Sequence, residues 1–349
     1  MGESKTGLLA LGIVFALTSC GGDSVSGGTA PPVVIAPTPP PAPPPPPPPT
    51  VTSVERDVAP ATTNPAVTDN LSAHFAINPA PATTRSRLFV MLPGTTAIPR
   101  FYRLIVRAGA ARGYHSIGLT YPNDEAVGTI CAGSTRPDCP GEVRREIITG
   151  TDTSPLVAVT PANSITGRLV SMLTYMHATY PGEGWGQYLV GGAPNWAVIT
   201  VAGHSQGAGH AGYMAKLHIL DRVAMFSGPG DVGNVAGTPT QWITLPNATP
   251  AARQYGFTHR QDELVPLALI EFNWSQIGLG AFGASVSVDG SAAPYGDRRQ
   301  LTTDIAIPIS PLSPSTAPAH GGTVVDVVTP LTAGGEPLYL PVWNYMLFP

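Results

Sequence analysis

Hydrophobic residues along the chain fall into short uncharged runs that alternate with stretches of helical spacing. Residues 87–92, Arg87-Leu88-Phe89-Val90-Met91-Leu92, read as a buried strand halted by Pro93-Gly94. Residues 99–113 then place Phe101, Leu104, Ile105 and Ala108 on one helical face, and residues 114–119 return to a strand run. Ile165, Leu169, Met172, Leu173 and Met176 form an amphipathic stripe that predicts contact with a core rather than with lipid. Residues 196–202 are uncharged and rich in β-branched side chains, as in a strand covered on both faces. Residues 222–227 and 254–258 read as further short strands, and residues 301–307 as the last. The repeated alternation predicts an α/β fold: a mostly parallel β-sheet with helices on both faces.

The first 51 residues do not share this pattern. Lys5 precedes an apolar stretch at 7–17, too short to span a bilayer, which closes with Leu17-Thr18-Ser19-Cys20. Residues 1–20 resemble a bacterial lipoprotein signal peptide, in whose lipobox the cysteine is lipidated and becomes the new N-terminus. That likeness implies a body tethered to a membrane through Cys20, in the bacterial cell envelope and facing the periplasm or the exterior. Glu3 weakens the positive charge of the leader, so export without lipid, as a secreted protein, stays open. Residues 21–51 are rich in Gly, Ser and Thr and then become a proline tract over 39–49, interrupted only by Ala42. Such a segment buries little apolar area and predicts an extended spacer, with a proline-rich ligand for a partner module as the alternative. Residues 52–349 remain as one body.

Composition narrows the partners. The net charge is −4, charged residues are 11% of the chain against roughly 25% on average, and no basic run could track phosphates, which argues against nucleic acid. With Cys20 set aside, Cys131 and Cys139 enclose seven residues. In an oxidising compartment they predict a local disulfide; a metal site is the competing reading, poorly supported without nearby histidines.

The chemistry concentrates at Gly203-His204-Ser205-Gln206-Gly207, a GxSxG pentapeptide between a strand pattern and a helix pattern. A serine hydroxyl becomes a useful nucleophile when a sharp strand-to-helix turn lifts it into a cleft, and such a turn needs glycines where a Cβ would clash. Ala208, Gly209, Ala211 and Gly212 then allow close helix packing. Ser205 is the candidate nucleophile; the bland alternative is a glycine-rich loop with an exposed serine.

Sites in parallel sheets gather at the carboxyl ends of strands. There, His259-Arg260-Gln261-Asp262-Glu263-Leu264-Val265-Pro266 offers Asp262 as the acid, with the apolar Leu264-Val265-Pro266 to anchor it. Asp231, among Gly228, Gly230 and Gly233 with little to fix it, is the reserve. Of eight histidines, His204 and His210 flank the nucleophile and are expected to point away from it or into packing. His115, His177 and His218 lie in regular elements, His74 lies upstream of the sheet, and His259 shapes the acid turn. His320, in a flexible loop after the last strand, remains as the base. An oxyanion hole needs two donors. The Gln206 N–H is one, and the other is expected from the loop after residues 87–92, where the Pro93-Gly94-Thr95-Thr96-Ala97 turn resembles that of cutinase-like polyesterases, a likeness that implies Thr95 as donor, with Thr96 close behind.

Over residues 85–325 these motifs resemble the α/β-hydrolase superfamily, whose order of nucleophile, acid and histidine matches Ser205, Asp262 and His320. A closer likeness, through GHSQGAGHA followed by RVAMFSGP, is to a group of uncharacterised bacterial hydrolases. The oxyanion turn is similar to the Pro-Gly-x-Thr-Ala turn of cutinase-like polyesterases, but residues 272–299 depart from that pattern. The resemblance implies that 52–349 is a catalytic domain: a serine hydrolase cleaving small or polymeric carboxylic esters through an acyl-enzyme, with no metal or organic cofactor. An acyltransferase or peptidase with the same residues, and a non-catalytic binding lipoprotein of this fold, are the alternatives. Trp185, Trp242 and Trp274 are left open between pocket and core.

Overall fold

A computed structural model describes residues 52–233, 237–307 and 316–349. The expected signal sequence, the lipidated Cys20 and the proline spacer lie outside the described residues. In chain order the strands are β1 (Val54–Val58), β2 (His74–Asn78), β3 (Leu88–Leu92), β4 (His115–Gly118), β5 (Leu189–Val190), β6 (Ala193–Pro194), β7 (Ile199–His204), β8 (Arg222–Phe226), β9 (Gln254–His259), β10 (Val286–Ser287) and β11 (Gln300–Thr303). The α-helices are α1 (Pro60–Thr63), α2 (Arg103–Ala111), α3 (Val127–Ile130), α4 (Cys139–Thr149), α5 (Ile165–Thr179), α6 (Gln206–Leu217), α7 (Gln241–Thr244), α8 (Leu267–Ile277), α9 (Pro318–Gly321) and α10 (Leu340–Leu347). None of the described helices is long and apolar enough to cross a membrane.

Nine strands form one sheet in the order β1-β2-β4-β3-β7-β8-β9-β11-β10. β2 pairs antiparallel with β1 and β4, and the other pairings of this sheet are parallel. A strand covered on both faces sends alternate side chains to opposite sides. Along β3, Leu88, Val90 and Leu92 enter one core while Phe89 and Met91 enter the other. Helices α4, α5, α6 and α8 contribute to the first core, α2 and α10 to the second, so helices cover both faces as the sequence pattern predicts. The expected stripe on α5, from Ile165 to Met176, is buried in the first core.

This topology prepares a site. The chain leaves β3 toward β4 on one side and leaves β7 toward β8 on the other. Where consecutive connections part in this way, a crevice opens beyond the carboxyl ends of the two strands.

Four expectations are corrected. The strand expected at 196–202 runs from Ile199 to His204, because pairing with β3 begins at Ile199 while Trp196 stacks on His218 in a short 3₁₀ turn. The strand expected at 301–307 ends at Thr303, whose partner His259 is the last residue of β9. Phe101 is 44% exposed, because Pro99–Tyr102 is a 3₁₀ turn that shifts the helical phase and buries Tyr102 instead. His74 opens β2 within the sheet; the exposed, charged β1 beside it gave no apolar run to mark this edge.

Candidate active site

β7 delivers Ser205 to the crevice. The backbone reverses at Ser205 (φ 54°, ψ −114°) and enters α6. A Cβ on Gly203 would lie 2.0 Å from the Gly207 carbonyl oxygen, and one on Gly207 would lie 2.3 Å from that of Leu92. Both positions therefore require glycine, as the pentapeptide implies. Holding a serine at this φ costs about 1–3 kcal/mol, which the surrounding structure must supply. Its N–H donates to the Phe226 carbonyl at 2.9 Å. Thr96 (φ 58°) and Ser227 (φ 51°) line the same cavity, so backbone strain gathers at one place.

That cavity, of about 660 Å³, is lined by Ser205, His320, Thr95 and Gln206. Asp262 lies under His320 with its side chain fully buried, and both carboxylate oxygens are 2.9 Å from His320 Nδ1. A carboxylate only accepts, so Nδ1 carries the proton. His320 Nε2 is buried and has no hydrogen-bond partner among the described residues. Ser205 and His320 thus share the cavity without a hydrogen bond between them; contacts of this kind tighten in substrate complexes. Burial by itself would raise the Asp262 pKa, but the His320 contact and the Val265 and Leu264 N–H groups, each 2.9 Å from Oδ1, hold it below the usual value. The Leu264 side chain is exposed but Val265 packs against the first core, so two backbone donors and the Val265 side chain hold this turn.

His320 sits in α9 and is buried, where the sequence suggests a flexible loop. The Glu263 carboxylate accepts the Ala319 and His320 N–H groups at 2.9 and 2.8 Å, and Ser227 Oγ donates to the His320 carbonyl at 2.7 Å. Neither Glu263 nor Ser227 carries a sequence signal for this role, apart from the adjacency of Glu263 to Asp262. His259 shapes the acid turn as expected, accepting the Gln261 N–H at Nδ1.

The reserve acid Asp231 also borders the cavity, but it is firmly held rather than loose. Arg144 reaches both of its oxygens at 2.5 and 2.7 Å, and Trp242 Nε1 donates to it at 2.7 Å. Its carboxylate is spent on Arg144 and makes no contact with a histidine among the described residues.

Between the two oxyanion candidates in the Gly94 turn, the Thr96 N–H is already donated to the Asn123 carbonyl at 2.8 Å. The Thr95 N–H meets no acceptor among the described residues, and Thr95 Oγ1 donates to Gln206 Oε1 at 2.7 Å. The Gln206 N–H belongs to the first turn of α6, where no helical acceptor exists. Two residues with unpaired amides thus lie side by side on the cavity wall.

Trp185, Trp242 and Trp274 are fully buried core residues, and none borders the cavity. Cys131 and Cys139 form a disulfide, Cα to Cα 5.8 Å, joining the end of α3 to the start of α4. Among the described residues no group of three or more His, Cys, Asp or Glu is placed to hold a metal ion. No protein-family model matches the chain, and no curated protein matches it.

Proposed function

We propose that the chain is a serine hydrolase of the α/β-hydrolase superfamily that cleaves carboxylic esters, exported and tethered through a lipid on Cys20. One observation carries the reading: a strained Ser205 at a strand-to-helix turn and a buried Asp262–His320 pair with a free Nε2 border one cavity at the point where the sheet connections part. In the reaction, Ser205 Oγ attacks the ester carbonyl as its proton passes to His320 Nε2. Asp262 stabilises the imidazolium and keeps the ring oriented. The carbonyl oxygen, now an oxyanion, takes the Thr95 and Gln206 N–H groups. The alcohol leaves with the proton from Nε2, and water repeats the sequence on the acyl-enzyme, releasing the acid and restoring Ser205.

The cavity walls suit an uncharged, aliphatic substrate. Ala97, Val127, Val265, Val325 and Val328 line it, and the charges at its border are paired, Arg144 with Asp231 and His320 with Asp262. The test is labelling by a fluorophosphonate, followed by turnover of p-nitrophenyl esters of increasing chain length beside a polyester film and a peptide. Ser205 is the expected labelled residue, and Ser205→Ala is expected to lower kcat by about 10⁴-fold or more. Labelling elsewhere, or undiminished turnover in the variant, would falsify the assignment.

A further inference from the structure

His204 is packed among buried groups, one of the two placements its position in the pentapeptide suggests; the residue also borders the cavity, and its ring lies 4.9 Å from the ring of His320. Although buried, it is bonded at both nitrogens: Nε2 lies 2.9 Å from the His320 carbonyl oxygen and Nδ1 lies 2.9 Å from the Tyr102 hydroxyl. A carbonyl oxygen can only accept, so Nε2 bears the proton. Burial lowers the His204 pKa to about 3, so the ring is neutral and Nδ1 must accept. Tyr102 therefore donates to Nδ1, and its oxygen in turn accepts the Gly94 N–H at 3.0 Å. Every donor and acceptor direction in the chain Gly94, Tyr102, His204, His320 is thereby determined.

The two ends of this chain are the two halves of the reaction proposed above. Gly94 immediately precedes Thr95, and its backbone lies so close to His204 and Ser205 that a Cβ there would be 2.9 Å from His204 Nδ1 and 3.3 Å from Ser205 Cβ. His320 is the proton acceptor. We infer that Tyr102 and His204 are positioning residues that hold the oxyanion turn and the base in register, each hydrogen-bonded end limiting how far its loop can drift. The inference rests on the hydrolase reading. Neither residue touches the reacting atoms. Their effect is on the distance between the site that receives the negative charge and the site that receives the proton, and misplacement by about 1 Å at such a pair costs on the order of 10²-fold in rate.

The experiment compares the wild-type full chain with Tyr102→Phe, His204→Phe, His204→Gln and the Tyr102→Phe/His204→Phe double variant, using p-nitrophenyl butyrate and fluorophosphonate labelling. Tyr102→Phe and His204→Phe are expected to lower kcat by about 10- to 100-fold with KM within about threefold, and labelling of Ser205 should slow in parallel. The double variant should be no worse than about threefold below the poorer single, because both changes break one chain. His204→Gln, whose amide supplies a donor and an acceptor, should recover most of the loss. A purely structural histidine would instead lower stability and leave kcat of the folded fraction unchanged. If His204→Phe does not fold, Tyr102→Phe carries the test, since it deletes one oxygen atom and leaves the ring. Labelled, active wild type with kcat within twofold in Tyr102→Phe overturns the positioning role alone. Wild type that neither labels nor turns over ester overturns the hydrolase reading and this inference with it.

Discussion

The two aspartates beside the cavity should fail in opposite ways. Asp231 and Arg144 form an ion pair whose side chains are 5% and 3% exposed, and Arg144 also donates to the Gln206 carbonyl at 2.9 Å while lying flat against Gly209. Asp231→Asn removes the negative charge and puts an amide N–H₂ where one guanidinium donor was received. Breaking a buried pair by neutralising one partner costs about 3–5 kcal/mol. For a body of this size that corresponds to roughly 2 °C per kcal/mol, so the melting temperature should fall by about 6–10 °C. The kcat of the folded fraction should stay within about tenfold of wild type. Asp262→Asn keeps an oxygen for the Leu264 and Val265 N–H groups and should lower the melting temperature by less, yet kcat should fall by about 10⁴-fold, since an amide cannot stabilise the imidazolium. Thermal melts and ester turnover on both variants, measured side by side, decide the matter. If Asp231→Asn melts with wild type but loses more than about 10³-fold in kcat while Asp262→Asn stays active, the acid is Asp231 and the assignment drawn from the geometry is wrong.

Acid should destabilise the fold by pH 5, through buried histidines. Burial lowers the His74 and His204 pKa values to about 3, so each stays neutral in the folded chain while the unfolded chain takes up a proton near pH 6.5. The stability they confer is complete above pH 6.5 and is lost as pH falls toward 3, by about 2 kcal/mol each at pH 5. Burial raises Asp326 to about 6, so this carboxyl takes up its proton earlier in the folded chain and returns about 1 kcal/mol at pH 5. His74, His204 and Asp326 together therefore lower the stability read by urea unfolding by about 3 kcal/mol at pH 5 relative to pH 7, and burial of His210 and His218, which also lowers their pKa values, widens the difference; equal values would contradict buried neutral histidines. Reduction of Cys131–Cys139 should lower stability by about 2–3 kcal/mol. Because α3 carries Val127, Gly128 and Thr129 on the cavity wall, KM for esters should rise more than kcat falls on reduction; an unaltered melt and KM would show the bridge to be dispensable.

Much of the frame was legible because it depends on short stretches of chain. The apolar run of β3, the stripe of α5 and the glycines around Ser205 are dictated by side-chain period and by backbone sterics, both local. The convergence of Ser205 and His320 on one cavity edge, with Asp262 beneath His320, was legible too, since parallel strands send their following loops to the same end of the sheet. Contacts between distant residues were not. Arg144 is 87 positions from Asp231, and Tyr102 and His204 are 102 apart. Read from the glycines around it, Asp231 has nothing to hold it; packing pairs its charge with Arg144. His204 likewise has no readable tautomer until the His320 carbonyl and the Tyr102 hydroxyl are brought to its two nitrogens. The amino-acid order by itself determined the elements and the end of the sheet where chemistry would gather. Which carboxylate is spent, and which way each proton points, were decided by the tertiary structure, because charge pairing and hydrogen-bond direction belong to partners that only folding makes neighbours.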